Sequence, residues 1–171
     1  MSSVQLEHHH HSSSDQPYSL VLLADSIEVP ANVGSLFRIA DALGVAKLYL
    51  CGRSVCPPNT KITKVSRSTD KVVPFEWCAD AIAVVDALKL QGYRMIALEL
   101  TSQSVPLSQF EGSADDKLCL VLGSEGAGVS QALLDLCELS VYIPMLGRNS
   151  SMNVANACAI AVYELTKIYR Q

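Results

Sequence analysis

The chain has 171 residues, 49% of them apolar, and a formal net charge of −4 at pH 7. That length suits one domain with a sizeable core, and no apolar run approaches the ~18 residues of a membrane span, nor is a secretory signal visible. A negative net charge does not advertise a nucleic-acid binder, although an average hides any local patch.

Residues 1–17 are Ser-rich, lack apolar periodicity and read as a tag-like or disordered tail, which leaves 18–171 as the domain. The 4 histidines, His8 to His11, all lie in that tail. The domain therefore has no histidine for general-base, triad or metal-ligand work, and no metal is expected. The 6 cysteines form no C-x-x-C pair, which argues against a zinc ribbon or a thioredoxin-like site. Cys119 and Cys158 sit in apolar runs as small buried hydrophobes, a pattern that fits a reducing cytosol and a cytoplasmic protein.

Ser19 to Ala24 reads as a buried strand, and Asp25 to Pro30 leads away from its end. Leu36, Ile39, Ala40 and Leu43 then recur at i, i+3, i+4 and i+7, an amphipathic helix with Asn32 as its expected N-cap and Gly44 as its C-cap. Arg38 falls off the apolar stripe, and in the plain reading it pairs with Asp41 on the surface. Ala46 to Cys51 is a second strand, and Gly52 to Thr60 is a loop carrying Pro57-Pro58. Arg53, Lys61, Lys64, Arg67 and Lys71 follow with Asp70 the one acid among them, either a solvated surface or a strip that contacts phosphates without reading sequence.

Val72 to Trp77 reads as a short edge strand and Ala79 to Leu90 as a helix, with either Ile82, Val85 and Leu88 or Ala81, Val84 and Leu88 facing inward. Tyr93 to Glu99 is a strand, Thr101 to Asp116 a loop, Leu118 to Leu122 a strand, Ser130 to Leu136 a helix and Leu139 to Ile143 a strand. Pro144 stops that strand and Gly147 supplies a turn. Ser150 or Ser151 is placed to cap a last helix that begins near Asn153, with Val154, Cys158, Ala161, Leu165 and Ile168 as its stripe. That helix is apolar nearly all round, so it belongs in a core or an oligomer interface. Strands alternate with helices throughout: an α/β domain, with a mostly parallel sheet and helices on both faces.

Gly123, Gly126 and Gly128 follow a strand and precede a helix, the place where an α/β sheet binds ligands. The pattern is neither G-x-G-x-x-G nor a P-loop, and Glu125 repels phosphate, so it suits a cationic or hydroxyl-bearing ligand or is a plain turn. The polar stretch from Gly147 to Ser151, pinned between two buried elements, is likewise either a proline turn before a capped helix or a loop that carries chemistry.

Three ordered stretches carry a resemblance. Asn32-Val-Gly-Ser-Leu-Phe-Arg38-Ile-Ala, then Leu122-Gly-Ser-Glu125-Gly-Ala-Gly128, then Ile143-Pro-Met-Leu-Gly-Arg-Asn-Ser-Ser151-Met-Asn153-Val resemble the three motifs of the SpoU (TrmH-like) RNA ribose methyltransferases of the SPOUT superfamily. The resemblance spans residues 18 to 170. It implies S-adenosylmethionine as methyl donor, a ribose 2′-hydroxyl of tRNA or rRNA as acceptor, a homodimer, and a C-terminal trefoil knot that holds the cofactor. Carried over by position, Gly123, Ile143, Met145 and Met152 would touch the cofactor and the strand end Leu98, Glu99 and Leu100 would line the same pocket. Asn32, Arg38, Glu125, Ser151 and Asn153 fall on the family's catalytic or RNA-facing positions. Met152 stands where the family more often has leucine, a volume-conserving exchange.

Methyl transfer is an in-line displacement, and alignment is most of what it needs. In this family an arginine stands in for the missing histidine base, here Arg38. Its pKa above ~12 makes it a poor base, so it either assists deprotonation or stabilises a developing alkoxide while a phosphate or water takes the proton. The family often carries an RNA-binding domain ahead of the catalytic one and none is visible here. RNA recognition is then expected from Arg53, Lys61, Lys64, Arg67 and from Arg148 in the pinned loop, doubled by dimerisation. The competing readings are an RNA-binding module of the same fold without catalysis, and a small-molecule nucleotide-binding α/β protein.

Overall fold

Apolar runs long enough to be buried on two sides become central strands, and here they make one sheet. The computed structural model describes residues 17–170; the tail assigned to 1–17 falls almost entirely outside them. The sheet has 7 strands in the order β3-β2-β1-β6-β4-β7-β5. They are β1 (Tyr18–Asp25), β2 (Val45–Cys51), β3 (Phe75–Cys78), β4 (Tyr93–Leu98), β5 (Val105–Pro106), β6 (Lys117–Leu122) and β7 (Leu139–Tyr142). Every pairing is parallel. All strand carboxyl ends therefore lie along one edge, where a parallel sheet offers its binding site.

The pleat divides β1 between two cores. Leu20, Leu22 and Ala24 pack with α1 (Pro30–Leu43) and α5 (Val154–Leu165), whereas Val21 and Leu23 pack with α3 (Ala81–Leu90) and α4 (Gln131–Leu134). The helices thus cover both faces, which is why the central strands read as unbroken apolar runs. On α3 the inward set is Ala81, Val84, Val85 and Leu88, and Ile82 is left exposed.

α2 (Thr60–Ser66) forms within the basic stretch and lies against α1. Its N-cap Asn59 accepts from the backbone N–H groups of Lys61 and Ile62. Gly34 permits this docking, since a Cβ there would lie 2.8 Å from both the Ile62 carbonyl and Val65 Cβ. So short a helix, rich in β-branched side chains, gives little helical periodicity, and α2 is legible mainly through its cap. β5 and a 3₁₀ turn (Leu107–Gln109) similarly occupy the stretch expected to be loop.

Two caps differ from expectation. α1 begins at Pro30 with Val29 as N-cap, because proline's fixed φ and missing N–H suit the first helical position; Asn32 sits inside the first turn instead. α5 is capped by Asn153, whose Oδ1 accepts from the N–H groups of Ala155 and Asn156, and not by Ser150 or Ser151. Gly44 closes α1 as expected. Arg38 and Asp41 are both exposed, and among the described residues they make no ion pair with each other.

Candidate active site

A cavity of about 730 Å³ opens at the carboxyl edge of the sheet, where β4, β6 and β7 end. Three segments line it: 98–100 after β4, 122–129 after β6, and residues between 142 and 157 that run from β7 into α5. It contains every residue assigned by resemblance to the cofactor, namely Leu98, Glu99, Leu100, Gly123, Ile143, Met145 and Met152. Glu125, Ser151 and Asn153 line it too, whereas Asn32 and Arg38 do not. Among the described residues its only charged side chains are the carboxylates of Glu99 and Glu125. Such a lining favours a cation and disfavours a phosphate.

The 122–129 segment folds back on itself. Ser124 and Gly128 exchange backbone hydrogen bonds of 3.1 and 3.0 Å, and the Ser124 hydroxyl accepts from the Ala127 N–H at 3.1 Å. Gly123 is obligatory in this turn, because a Cβ on it would overlap the backbone of Gly128 and Val129. Glu99 locks the turn to the end of β4: its carboxylate accepts from the N–H groups of Val129 and Leu100, each at 3.0 Å. This clamp joins residues 30 apart in sequence and has no periodic signature.

Asn32 is 8% exposed, and both ends of its amide are bonded within the fold. Its Nδ2 donates to Glu125 Oε1 at 2.6 Å, and its Oδ1 accepts from Asn153 Nδ2 at 2.9 Å. Asn153 Oδ1 is in turn occupied by the first N–H groups of α5. The helix terminus thus sets the direction of the whole chain of bonds: α5 amides donate to Asn153, Asn153 to Asn32, and Asn32 to the Glu125 carboxylate. One residue from each of the three motif stretches takes part. Sequence alone separates Asn32 from Glu125 by 93 positions and from Asn153 by 121.

Arg38 lies outside this cavity lining, exposed on α1, and among the described residues it has no ion-pair partner. Of the basic residues expected at an RNA surface, Arg53 pairs with Glu28 at 2.9 Å, Lys61 and Lys64 are exposed on α2, Arg67 is its exposed C-cap, and Arg148 is exposed in the loop before α5. None of these five lines the cavity. No thiol serves as a nucleophile there either. Burial pushes Cys51 up to about 12 and raises Cys119 and Cys158 as well, and none of the three reaches the cavity. Among the described residues no group of His, Cys, Asp and Glu is arranged to hold a metal.

Of the lining, Val129, Tyr142 and Ala157 lie outside the three motif stretches and the residues assigned to the cofactor. Val129 and Tyr142 directly adjoin a motif, so extending each stretch by one residue was the available signal for them; Ala157 lies one helical turn beyond Val154.

Residues 19–163 match the family model described as the SpoU rRNA Methylase family. A putative TrmH family tRNA/rRNA methyltransferase of Staphylococcus haemolyticus is 31% identical over 153 residues, covering 90% of this chain and 59% of that protein. The 23S rRNA (guanosine(2553)-2′-O)-methyltransferase RlmP of Bacillus subtilis is 33% identical over 149 residues, covering 85% of this chain and 57% of that one. The chain thus spans less than two thirds of the length of these curated relatives. Among solved structures, the SpoU methyltransferase AviRb of Streptomyces viridochromogenes in complex with AdoMet superposes with a TM-score of 0.77 at 28% identity, covering 91% of this chain and 59% of that one.

Proposed function

The chain belongs to the SpoU rRNA methylase family, and on that premise we propose that it is an S-adenosylmethionine-dependent enzyme that methylates a ribose 2′-hydroxyl of tRNA or rRNA. One observation carries the reading. The bond chain from Asn153 through Asn32 to Glu125 ties all three motif stretches together at a cavity lined by the carboxylates of Glu99 and Glu125.

S-adenosylmethionine, when bound, supplies an electrophilic methyl on a sulfonium. The cavity fits such a group: the carboxylates of Glu99 and Glu125 complement a cation, and Leu98, Leu100, Ile143, Met145 and Met152 offer apolar surface for a base and a methionine chain. Gly123 keeps backbone close to the bound group. Asn32 is a positioning residue in this reading, since it is buried outside the cavity lining and its amide bonds Glu125 and Asn153, which do line it. Glu125 and Ser151, exposed at the rim, face the RNA. Arg38 stabilises the alkoxide that forms as the 2′-hydroxyl loses its proton to a phosphate or water.

Because Arg38 stands outside the cavity of its own chain, the reading includes a homodimer in which one protomer's guanidinium serves the other's cavity. The exposed Ile160 and Tyr163 on α5, the helix beside α1, offer that interface apolar surface. The same reading takes 18–171 as one catalytic domain, gives the region from β7 to α5 the trefoil knot of the superfamily, and places the protein in the cytoplasm. The RNA surface is assigned to Lys61, Lys64 and Arg67, with Arg53 and Arg148 at its margins.

The test is transfer of labelled methyl from S-adenosylmethionine to RNA, read as 2′-O-methyl nucleoside after digestion. Arg38→Ala is expected to bind the donor normally in calorimetry and to lose turnover by orders of magnitude, at least ~100-fold, the scale of a single transition-state donor. Near-normal turnover by that variant refutes the role of Arg38.

A further inference from the structure

The C-terminal end of α2 holds a strained and internally braced turn that the cavity does not use. Of the three non-glycine residues described with positive φ, two are adjacent here: Arg67 at 53° and Ser68 at 70°. Neither a β-turn glycine nor an asparagine relieves them, and residues kept in this region persist only where their surroundings hold them. The brace is Asp70, 7% exposed, whose carboxylate accepts from the Thr63 hydroxyl at 2.8 Å and from the Ser66 hydroxyl. The Thr69 hydroxyl adds a bond to the Ser66 carbonyl at 2.9 Å. Burial works against the Asp70 charge, but the two hydroxyls, its own backbone N–H and Lys71 outweigh it and hold the carboxyl below the usual carboxylate range.

Four cations stand on the outside of this braced unit. Lys61, Lys64 and Arg67 recur every third residue along its outer face, with Lys71 just past the turn, and all four are exposed. Among the described residues none of them has an ion-pair partner, as is also true of Arg38, Lys89, Lys117, Arg148 and Arg170, but only here do four such cations fall within eleven residues. The one acid within the stretch points inward. Gly34 seats the unit directly on α1, the helix that carries Arg38.

We propose that α2 and the turn to Lys71 form a preformed clamp for an RNA phosphate backbone, and that Asp70 is the positioning residue that holds Arg67 and Lys71 in register with Lys61 and Lys64. The proposal rests on the RNA-modifying reading above and specifies how that RNA is held. A row of cations on a rigid element binds backbone without sequence preference and releases counterions in proportion to the contacts made.

Asp70 gives the test a sign. As a mere background charge, its removal makes the surface more positive and tightens RNA binding. As a brace, its removal frees the turn and weakens binding. The measurement is fluorescence anisotropy of a labelled mixed-sequence RNA hairpin against the full chain, over a salt series of about 50 to 200 mM. Asp70→Ala is expected to bind roughly five- to ten-fold more weakly at the lower salt, with the log–log salt slope shallower by ~0.7–0.9, the worth of one phosphate contact. S-adenosylmethionine affinity is expected to stay unchanged. Ser66→Ala, which deletes a donor to Asp70 and keeps the charge, is expected to shift RNA binding the same way. It decides the matter alone if Asp70→Ala loses donor affinity through misfolding. RNA binding at or above the wild-type level, with the wild-type slope, overturns the proposal. Wild-type protein that binds S-adenosylmethionine but no RNA overturns the RNA reading beneath it instead.

Discussion

Replacing Asn32 by aspartate changes one atom and reverses the logic of the bond chain. The new side chain still accepts from Asn153, but it turns a carboxylate oxygen towards Glu125 Oε1, to which Asn32 now donates over 2.6 Å. Two unit charges at that distance repel by about 1.6 kcal/mol at the dielectric of water and about 6 at an effective value of 20. Glu125 is exposed, so the lower end weighs more. The cost is also capped, because keeping one carboxyl protonated at pH 7 against a usual pKa near 4 takes about 4 kcal/mol. A deficit of about 2–4 kcal/mol follows, or roughly 5–15 °C in melting temperature for a chain of this size. Lowering the pH towards ~5 lets the pair share a proton, which restores a donor and shrinks the deficit. Glu125→Gln in the same background removes the repulsion and supplies an amide that donates to the introduced carboxylate. The assay is thermal unfolding of the wild type, both single variants and the double variant at the two pH values. An Asn32→Asp protein that melts with the wild type at pH 7, or a deficit indifferent both to pH and to Glu125→Gln, refutes the bond chain.

Gly123→Ala drives a methyl into the Gly128 and Val129 backbone and must open the Ser124–Gly128 bridge. Overpacking of about 1–3 kcal/mol confined to this turn lowers S-adenosylmethionine affinity by roughly 5- to 150-fold; calorimetry that returns the wild-type affinity counts against the turn as the cofactor cradle. Acid acts instead on the turn after α2. Since the folded-state pKa of Asp70 is depressed, its stabilisation is complete above the unfolded value near ~3.9 and is lost as pH falls through the lower folded one. Amide exchange across 60–71 is expected to lose protection relative to the β1–β6 centre as pH drops from about 4 to about 2. Equal retention in both regions contradicts the brace.

The strands and longer helices were legible because burial on both faces leaves runs and stripes that need no partner to be seen: Leu20 to Ala24 and Leu118 to Leu122 are apolar at every position. α2 escaped because its helix is short and its signal is a cap and not a stripe. The N-terminus of α1 was misplaced because asparagine and proline both mark helix starts, and the proline prevailed. The resemblance named residues that line one cavity, but not that Asn32 stands behind that lining, bonded to Glu125 and Asn153.

By itself the sequence determined the class of fold, the two-sided sheet, the absence of a histidine from 18–171 and the three polar stretches between buried elements, all of which are local patterns of burial and residue type. Tertiary structure alone decided that these stretches share one hydrogen-bond chain, that Glu99 clamps the glycine turn, that Arg38 lies outside the cavity of its own chain, and that Asp70 faces inward among cations that face out. Side-chain bonds between segments about 30 to 120 residues apart are set by how the elements pack, and packing direction leaves no period in the chain.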